Sequence, residues 1–322
     1  MGARSRLGLA VALAVVPLSC SIVFPLDGLS GAQAGGDDGS MSETGAAESG
    51  ADAAEAASDV SGDATAEAAA ETGGGDGPVE APAETGGGDG PPITYAQEVL
   101  ADAPSGYWRL GEATGATTAK DASGKGVDAT YHGAVTLQVK GAIAGDADTA
   151  AGFDGSTSYA DAGNVFQFAG TAACSFEAWL QPTVDTSYHG ILSRSDRISA
   201  PSEGYLLFVE PAPQPLLAFE RIETTTHFTV ESSSVATTAT WVHMVATYDG
   251  TTGLVYFDGV QQGTGPAAFA LTGATSNFVI GAEAGGGDVW FLGNLDEVAV
   301  YDHVLAASRV LAHYHVGVGQ PP

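Results

Sequence analysis

The chain has 322 residues, with 39 Asp and Glu against 10 Lys and Arg, and a formal net charge of -29 at pH 7. This excess of negative charge repels phosphate backbones and anionic lipid headgroups, so it argues against nucleic-acid binding and against docking on an anionic membrane surface. The two cysteines, Cys20 and Cys174, lie in very different surroundings, which argues against an intrachain disulfide.

Residues 1–20 have the organisation of an export signal. Arg4 and Arg6 supply a positively charged start, and the apolar run 7–16 has the length of a signal-peptide hydrophobic segment. Cys20 follows a small serine, and the whole resembles a bacterial lipoprotein signal, in which that cysteine is lipidated. We therefore expect an exported protein at the outer membrane or cell surface, attached to the membrane only through this N-terminal anchor.

Two other interpretations of the N-terminus stay open. Residues 32–34 read Ala-Gln-Ala, which fits an ordinary cleavage site and predicts a secreted or periplasmic protein. Residues 7–26 are mostly apolar and approach the length of a membrane-spanning helix. All three interpretations predict export of the remainder of the chain.

The segment 21–92 is predicted to be a disordered acidic linker. Its larger part, 35–92, consists mainly of Ala, Gly, Ser, Thr, Asp and Glu and contains no aromatic residue. Such a composition cannot bury enough apolar surface to offset the entropy lost on ordering. A nine-residue unit at 70–78 recurs at 83–91, a low-complexity duplication rather than a folded repeat. We expect this linker to hold the following domain away from the cell envelope.

Residues 93–322 are predicted to form one all-β domain, a sandwich of two antiparallel sheets, because short apolar alternations are separated by turn residues. Asp258-Gly259 between two apolar runs predicts a hairpin, since these residues accept the positive φ angles of a two-residue turn. One short C-terminal helix is expected, with Ala307, Leu311 and Tyr314 on one face. The predicted strands are 107–110, 130–137, 175–180, 190–193, 205–209, 216–222, 227–231, 241–248, 254–257, 278–281 and 295–301.

An ordered series of short motifs runs from about residue 95 to residue 317. Its members are Tyr107-Trp108-Arg109-Leu110, Asp121-Ala122-Ser123-Gly124, Phe153-Asp154-Gly155, Ser175-Phe176-Glu177-Ala178-Trp179, Trp241-Val242-His243 and Leu295-Asp296-Glu297-Val298. The series resembles the laminin G-like domains of the concanavalin A-like lectin and glucanase superfamily. That resemblance implies a jelly-roll β-sandwich, a fold used mostly for binding glycans or proteins, in several cases with calcium.

A catalytic pair of carboxylates is not evident. Glycosidases need an acid and a nucleophile or base at a fixed separation, and the Glu-x-Asp-x-x-Glu pattern of laminarinase-like relatives is absent from residues 93–322. Asp296 and Glu297 are adjacent, so in a regular strand their side chains point to opposite faces. We predict that the protein is not an enzyme. A polysaccharide hydrolase or lyase is the less favoured alternative.

Three aspartates are candidate calcium ligands. Asp121, Asp154 and Asp296 lie in or beside Gly-bearing turns, where carbonyl oxygens can join carboxylates around a hard cation. The resemblance implies that such an ion would tie the first and last strands together. The alternative for each aspartate is a turn cap, in which the carboxylate accepts hydrogen bonds from nearby backbone N–H groups.

Trp290, Arg194 and Arg197 are the candidate ligand-binding residues. Trp290 follows a Gly-rich loop, so its ring is a candidate for stacking on a sugar, with burial against the sheet as the alternative. The polar segment 193–204 carries both arginines, which would face an acidic sugar or form ion pairs within the loop. The other three tryptophans lie in alternating strands and are expected in the core.

The remaining chemistry-bearing residues receive structural interpretations. Cys174 lies in a predicted strand and is expected to be a small buried apolar residue. His313 and His315 are not spaced to share a helical face, which argues against a zinc site. A favourable charge at the helix C-terminus explains them.

These patterns predict an exported, surface-anchored, non-catalytic binding module that recognises carbohydrate or another extracellular polymer, with Ca2+ as an assisting ion. The alternative is a protein-binding adhesion or structural domain. The expected partner is therefore a glycan or an extracellular protein.

Overall fold

The computed structural model describes residues 93–195, 202–283 and 289–322. The predicted export signal, Cys20, the linker 21–92 and Arg197 lie outside these residues. No helix in the described part of the chain is long and apolar enough to cross a membrane.

Sixteen strands and two helices make up the described ranges. In chain order they are α1 (Tyr95–Ala101), β1 (Gly106–Trp108), β2 (Thr118–Ala119), β3 (Ala129–His132), β4 (Thr136–Lys140), β5 (Thr149–Asp154), β6 (Tyr159–Gly163), β7 (Cys174–Pro182), β8 (His189–Ser195), β9 (Glu203–Val209), β10 (Leu216–Glu223), β11 (Thr226–Val235), β12 (Val242–Tyr248), β13 (Thr252–Phe257), β14 (Val260–Pro266), β15 (Phe278–Ile280), β16 (Leu292–Tyr301) and α2 (Ala307–Gly317).

The strands form two antiparallel sheets, which confirms the predicted β-sandwich. Sheet A has the order β14-β13-β12-β7-β16-β5-β4, with β1 paired to β16, and sheet B has the order β11-β10-β9-β8-β15-β6-β3-β2. Non-consecutive neighbours such as β7 and β16 are the crossovers of a jelly roll. The predicted hairpin is also confirmed: Phe257 pairs with Val260, and Asp258 and Gly259 both have positive φ.

The main core lies between the two sheets. Alternate residues of β7, among them Phe176 and Leu180, join the core cluster together with Phe219 and Phe278 of sheet B. Burial of each such side chain stabilises the fold by about 1.5–3 kcal/mol. Cys174 belongs to the same cluster, as predicted, and burial raises the pKa of its thiol to about 12.

A second buried cluster lies on the opposite face of sheet A, where both helices cover it. Tyr95 and Val99 of α1 pack there with Val310 and Val316 of α2 around Trp179. The predicted C-terminal helix is confirmed; its buried face carries Val310 and Val316, whereas Leu311 is 39% exposed. The face is set by contact with sheet A, and the polar His313 occupies part of it.

No sequence pattern indicated α1, which has only seven residues. Its start is defined by a capping box, in which the Thr94 side chain accepts from the Gln97 backbone and the Gln97 side chain accepts from the Thr94 backbone. A helix this short is not stable alone, so its packing on sheet A must stabilise it.

Candidate functional site

Asp121, the first of the aspartates proposed to bind calcium, is the centre of a turn. Its carboxylate accepts hydrogen bonds from the backbone N–H groups of Tyr107 (3.1 Å), Ser123 (2.9 Å) and Val127 (3.0 Å). Burial raises the pKa of Asp121, but these bonds outweigh it and lower the pKa overall. The arrangement fits the turn-cap alternative and links β1 to the loop before β3.

Asp154 has a similar role at the end of β5. One of its oxygens accepts from the backbone N–H groups of Ser156 (2.9 Å), Thr157 (2.8 Å) and Ser158 (3.0 Å). Burial opposes ionisation of this carboxyl, but the hydrogen bonds outweigh it and hold the pKa well below its usual range. This aspartate also fits a turn cap.

Asp296 and Glu297 do not point to opposite faces of β16, so that expectation was wrong. Glu297 has a φ of 51°, and the pairing of β16 with β7 shifts register between Asp296 and Ala299. Such a β-bulge turns both carboxylates toward the face of sheet A away from the core. There Glu297 accepts hydrogen bonds from Tyr107 and from Arg109 at 2.8 Å.

Asp296 differs from the other two candidate aspartates, because one of its oxygens has no partner among the described residues. Its Oδ2 accepts from the Ala142 backbone at 2.8 Å, whereas its buried Oδ1 makes no hydrogen bond. A Cβ at Gly141 would lie 3.0 Å from Asp296 Oδ2 and 2.6 Å from the Asp148 carbonyl oxygen, so both oxygens lie close to Gly141. Burial and repulsion from Glu297 raise the pKa of Asp296.

A cation at Asp296 would reduce the repulsion between its carboxylate and that of Glu297. Arg109 alone contacts Asp146, Asp148 and Glu297 at 2.8–3.0 Å, so one positive charge serves several carboxylates. Carbonyl and carboxylate oxygens together are the ligands that Ca2+ prefers. Within the described ranges, however, no three His, Cys, Asp or Glu side chains are grouped to hold a metal. Backbone oxygens would therefore have to complete the coordination shell.

Arg194, a predicted ligand-binding residue, is fully buried. Its guanidinium donates to the Val165 carbonyl (2.9 Å), the Asn164 side chain (2.7 Å) and the Ala274 carbonyl (2.7 Å). These bonds attach the loops after β6 and before β15 to β8. The described contacts therefore give Arg194 a structural role.

Trp290 lies on the face of sheet B that points away from the core, beside two further rings. The ring of Tyr159 is 5.8 Å from that of Trp290 at an interplanar angle of 59°. His132 stacks on Tyr159 at 4.6 Å and 12°. Trp290 and Tyr159 are half-buried, and His132 is exposed. We call His132, Tyr159 and Trp290 the aromatic row.

Strand register explains why the row forms. His132 of β3 lies directly opposite Tyr159 of β6, so their side chains share one face. Their chain neighbours Tyr131 and Ala160 point the other way and pack in the core. The same alternation holds next to Trp290, because the following Phe291 is buried in that core.

His189 holds the chain at Trp290. Its Nδ1 lies 3.0 Å from the Trp290 carbonyl oxygen, and its Nε2 lies 3.0 Å from Asp185 Oδ1. The adjacent Gly190 has no side chain, and a Cβ there would lie 2.8 Å from the Val289 carbonyl oxygen. The absence of a side chain at Gly190 therefore lets Val289 lie close against strand β8.

The aromatic row keeps its polar atoms unused. Among the described residues, the Tyr159 hydroxyl, the Trp290 indole N–H and the His132 ring nitrogens make no hydrogen bond. Nearby, Asp161 accepts a hydrogen bond from Asn277 at 3.0 Å. The row therefore combines ring surface with donors and acceptors on a partly exposed face.

A second set of aromatic and titratable residues, which no sequence pattern brought together, lies under the helices on sheet A. The carboxylate of Glu177 accepts from the Tyr95 hydroxyl (2.8 Å), the Tyr301 hydroxyl (2.6 Å), His243 Nε2 (2.8 Å) and His313 Nδ1 (3.0 Å). Glu177 and both histidines are completely buried. We call these five residues the Glu177 network.

The network continues from His313 to the surface. His313 Nε2 donates to Asp102 at 2.8 Å, and Arg309 forms ion pairs with Asp102 (2.8 Å) and Glu98 (2.7 Å). Burial opposes ionisation of Glu177, but His313 and His243 together outweigh it and hold the pKa of that carboxyl well below its usual range. Because Glu177 and both histidines are buried and bonded to one another, we assign the network a structural role.

The comparisons with known proteins agree with this architecture. Residues 154–311 match the laminin G family described as the concanavalin A-like lectin/glucanases superfamily. Among curated proteins, none matches the sequence.

Three solved structures are among those that match this chain. The binding domain of Paraclostridial Mosquitocidal Protein 1 is 12% identical with a TM-score of 0.52, over 67% of this chain and 52% of that one. Domain 4 of AbnA, an extracellular arabinanase from Geobacillus stearothermophilus in complex with arabinotriose, is 18% identical with a TM-score of 0.46, over 66% and 98%. The botulinum neurotoxin serotype D ligand binding domain in complex with N-acetylneuraminic acid is 10% identical with a TM-score of 0.48, over 69% and 52%.

This chain spans about half the length of the two toxin chains. At 12% identity, the likeness to the mosquitocidal protein shows a shared fold. Function must be argued from the residues of this chain.

Proposed function

We propose that this domain, whose residues 154–311 belong to the concanavalin A-like lectin and glucanase superfamily, is a non-catalytic module that binds carbohydrate or another extracellular polymer. The observation that carries the proposal is the aromatic row on the outer face of sheet B. The ring of Tyr159 contacts the other two rings, and the polar atoms of all three make no hydrogen bond within the described residues.

The chemistry of the row suits a sugar polymer better than other ligands. Aromatic rings offer apolar area, while the Tyr159 hydroxyl and the Trp290 N–H offer hydrogen bonds beside it. A pyranose needs both, since it has apolar C–H faces and a rim of hydroxyls. The negative charge of the chain favours a neutral rather than an anionic polymer.

A glycan and polysaccharide array probed with the full-length protein tests the proposal, in parallel with calcium and with chelator. We expect selective binding of neutral glycans that is lost in Trp290→Ala. The matched control is His303→Ala, which removes an exposed histidine after β16. Absence of binding to every glycan, together with capture of an extracellular protein, would instead support the adhesion alternative.

The non-catalytic part of the proposal is supported by the burial of the adjacent carboxylates. Asp296 and Glu297 are 2% and 1% exposed, so they line no open cleft where a polymer could reach them. We expect no reducing ends and no unsaturated products when the protein is incubated with any polysaccharide that it binds. Release of either product would contradict this part.

We propose that Ca2+ assists the module at Asp296, the only one of the three candidate aspartates with an unpartnered buried oxygen among the described residues. A ligand that binds only the folded state raises the unfolding temperature. We expect Ca2+ to raise it for the wild type and for Asp121→Asn, but not for Asp296→Asn. An equal rise in Asp296→Asn would exclude this site.

We also propose export with lipidation at Cys20, supported by the composition of residues 1–20. Mass spectrometry of the membrane fraction should find an acylated N-terminal cysteine. An unmodified N-terminus after residue 34 would replace the anchor by a secreted form.

A further inference from the structure

A groove of about 370 Å³ crosses the outer face of sheet A, beyond the part that the helices cover. It spans four adjacent strands, β7, β16, β5 and β4. Its floor is one cross-strand line, because Gln181 pairs with Asn294, Asn294 with Gly152, and Gly152 with Thr136. Their neighbours Leu180, Leu295 and Ala151 point into the core.

Gly152 creates the groove. A Cβ at this position would lie 2.9 Å from Asn294 Oδ1 and 3.4 Å from Thr136 Cβ, so any side chain would fill the gap between these two residues. The Gly152 backbone does not require glycine, since its φ is not positive. Open space, rather than backbone conformation, is what glycine provides at this point.

The side chains around the gap are held in defined orientations. Gln181 Nε2 donates to the Ala239 carbonyl at 3.0 Å, and Asn294 Nδ2 donates to Gln181 Oε1 at 2.8 Å. These bonds direct Asn294 Oδ1 toward the space above Gly152. That oxygen and the hydroxyls of Thr136 and Thr183 make no hydrogen bond within the described residues.

The charge of the lining limits the class of ligand. No Lys, Arg or His lines the groove, and its one charged residue, Asp154, already accepts turn hydrogen bonds. An anion would find no cation here and a nearby carboxylate. Amide and hydroxyl groups instead match ligand hydroxyls, and the volume lies at the small end of ligand pockets, about 300–1,000 Å³.

We propose that this groove is a second binding site, separate from the aromatic row, for an uncharged hydroxyl-rich ligand the size of one or two sugar units. Asn294 Oδ1 accepts from a ligand hydroxyl, while Thr136 and Thr183 donate or accept beside it. The choice of a sugar as this ligand rests on the proposed function; the site itself rests on the groove. A polymer long enough to reach both faces would be held by two sites on one domain.

The test is a titration of the isotope-labelled full-length protein with maltose, cellobiose and lactose, followed by NMR. The reporters are the side-chain amides of Asn294 and Gln181 for the groove and the Trp290 indole N–H for the row. We expect saturable shifts of the groove reporters with at least one disaccharide. Gly152→Ala should weaken that binding by tenfold or more.

Thr136→Val is a second groove variant that tests the site even if Gly152→Ala fails to fold. It removes one exposed hydroxyl without changing the shape of the side chain. It should weaken groove binding several-fold, whereas the control Thr229→Val on the edge strand β11 should not. Shifts at the groove without shifts at Trp290 support this site and count against the row. Shifts only at Trp290, or unchanged affinity in both groove variants, overturn the groove proposal and leave the proposed function standing.

Discussion

The Glu177 network and the aromatic row use the same kinds of side chain on the outer faces of the two sheets, yet they have opposite properties. In the network, the tyrosine hydroxyls and His313 are buried and directed at carboxylates. In the row, Tyr159 and Trp290 are half-buried, and the Tyr159 hydroxyl and the Trp290 N–H make no hydrogen bond within the described residues. Histidine, tyrosine and tryptophan thus indicate a binding surface only where their polar atoms remain available.

The difference arises from what covers each sheet. Helices α1 and α2 exclude water from the network, so every charge there needs a partner. Around the row, part of each ring surface stays accessible, and water can satisfy the unused polar atoms. Removing a network group should therefore change stability, whereas removing a row group should change binding.

The largest effect is expected for Glu177→Gln. Neutralising this carboxylate leaves the buried His313 without its main counter-charge, and breaking a buried ion pair costs about 3–5 kcal/mol. Urea unfolding should show this loss in the free energy of unfolding. Asp302→Asn, at a side chain that is 72% exposed, is the control and should change it by less than about 0.5 kcal/mol. An equal effect of both variants would mean that Glu177 contributes no more to stability than the exposed Asp302.

Two hydroxyl deletions, one in the Glu177 network and one in the aromatic row, should have different effects on stability. Tyr301→Phe removes a 2.6 Å hydrogen bond to the ionised Glu177 and should cost about 1.5–3 kcal/mol of stability. Tyr159→Phe removes a hydroxyl that makes no hydrogen bond within the described residues, and it should leave stability within about 0.5 kcal/mol while weakening glycan binding. Equal losses of stability in the two variants would contradict the difference between the Glu177 network and the aromatic row.

The free energy of unfolding should depend on pH through the titration of His313. Burial opposes its charge, but Glu177 and Asp102 outweigh this and raise the pKa of His313 to about 8. Its contribution is full below the unfolded value near 6.5 and is lost as pH rises through about 8. At about 1.4 kcal/mol per pH unit, the loss is about 2 kcal/mol.

Asp296 and Glu297, whose pKa values are raised by burial, also reduce stability as pH rises, beginning from lower pH. The measurement is therefore the difference between the unfolding free energies of the wild type and His313→Gln from pH 6 to pH 9. We expect this difference to shrink as pH rises. A difference that does not change with pH would mean that folding leaves the pKa of His313 at its unfolded value.

The smallest effect is expected for His132→Ala at the exposed end of the row. It removes one ring face that stacks on Tyr159 and should weaken glycan binding only a few-fold, with little change in stability. Calorimetry with a glycan that the wild type binds on the array measures this loss of affinity, and His303→Ala is the control. A complete loss of binding would mean that the site is centred on His132 rather than on Trp290.

The sandwich could be predicted from the sequence because period-two alternation and turn residues are local signals. The aromatic row could not, since His132, Tyr159 and Trp290 come from three separate segments joined only by strand pairing. The Glu177 network is similar: Glu177 and His313 are 136 residues apart. Likewise, the positive φ of Glu297 overturned the simple alternation rule, because a bulge depends on both strands.

The assignment of the aromatic row as the glycan-binding surface is tested most directly by the affinity of Trp290→Ala for a glycan that the wild type binds. Calorimetry measures this affinity, and the free energy of unfolding is measured on the same protein. We expect at least a tenfold loss of affinity with a change in stability below about 2 kcal/mol, since the ring is half-buried. Unchanged affinity in a folded Trp290→Ala protein would contradict the assignment of the aromatic row as the binding surface.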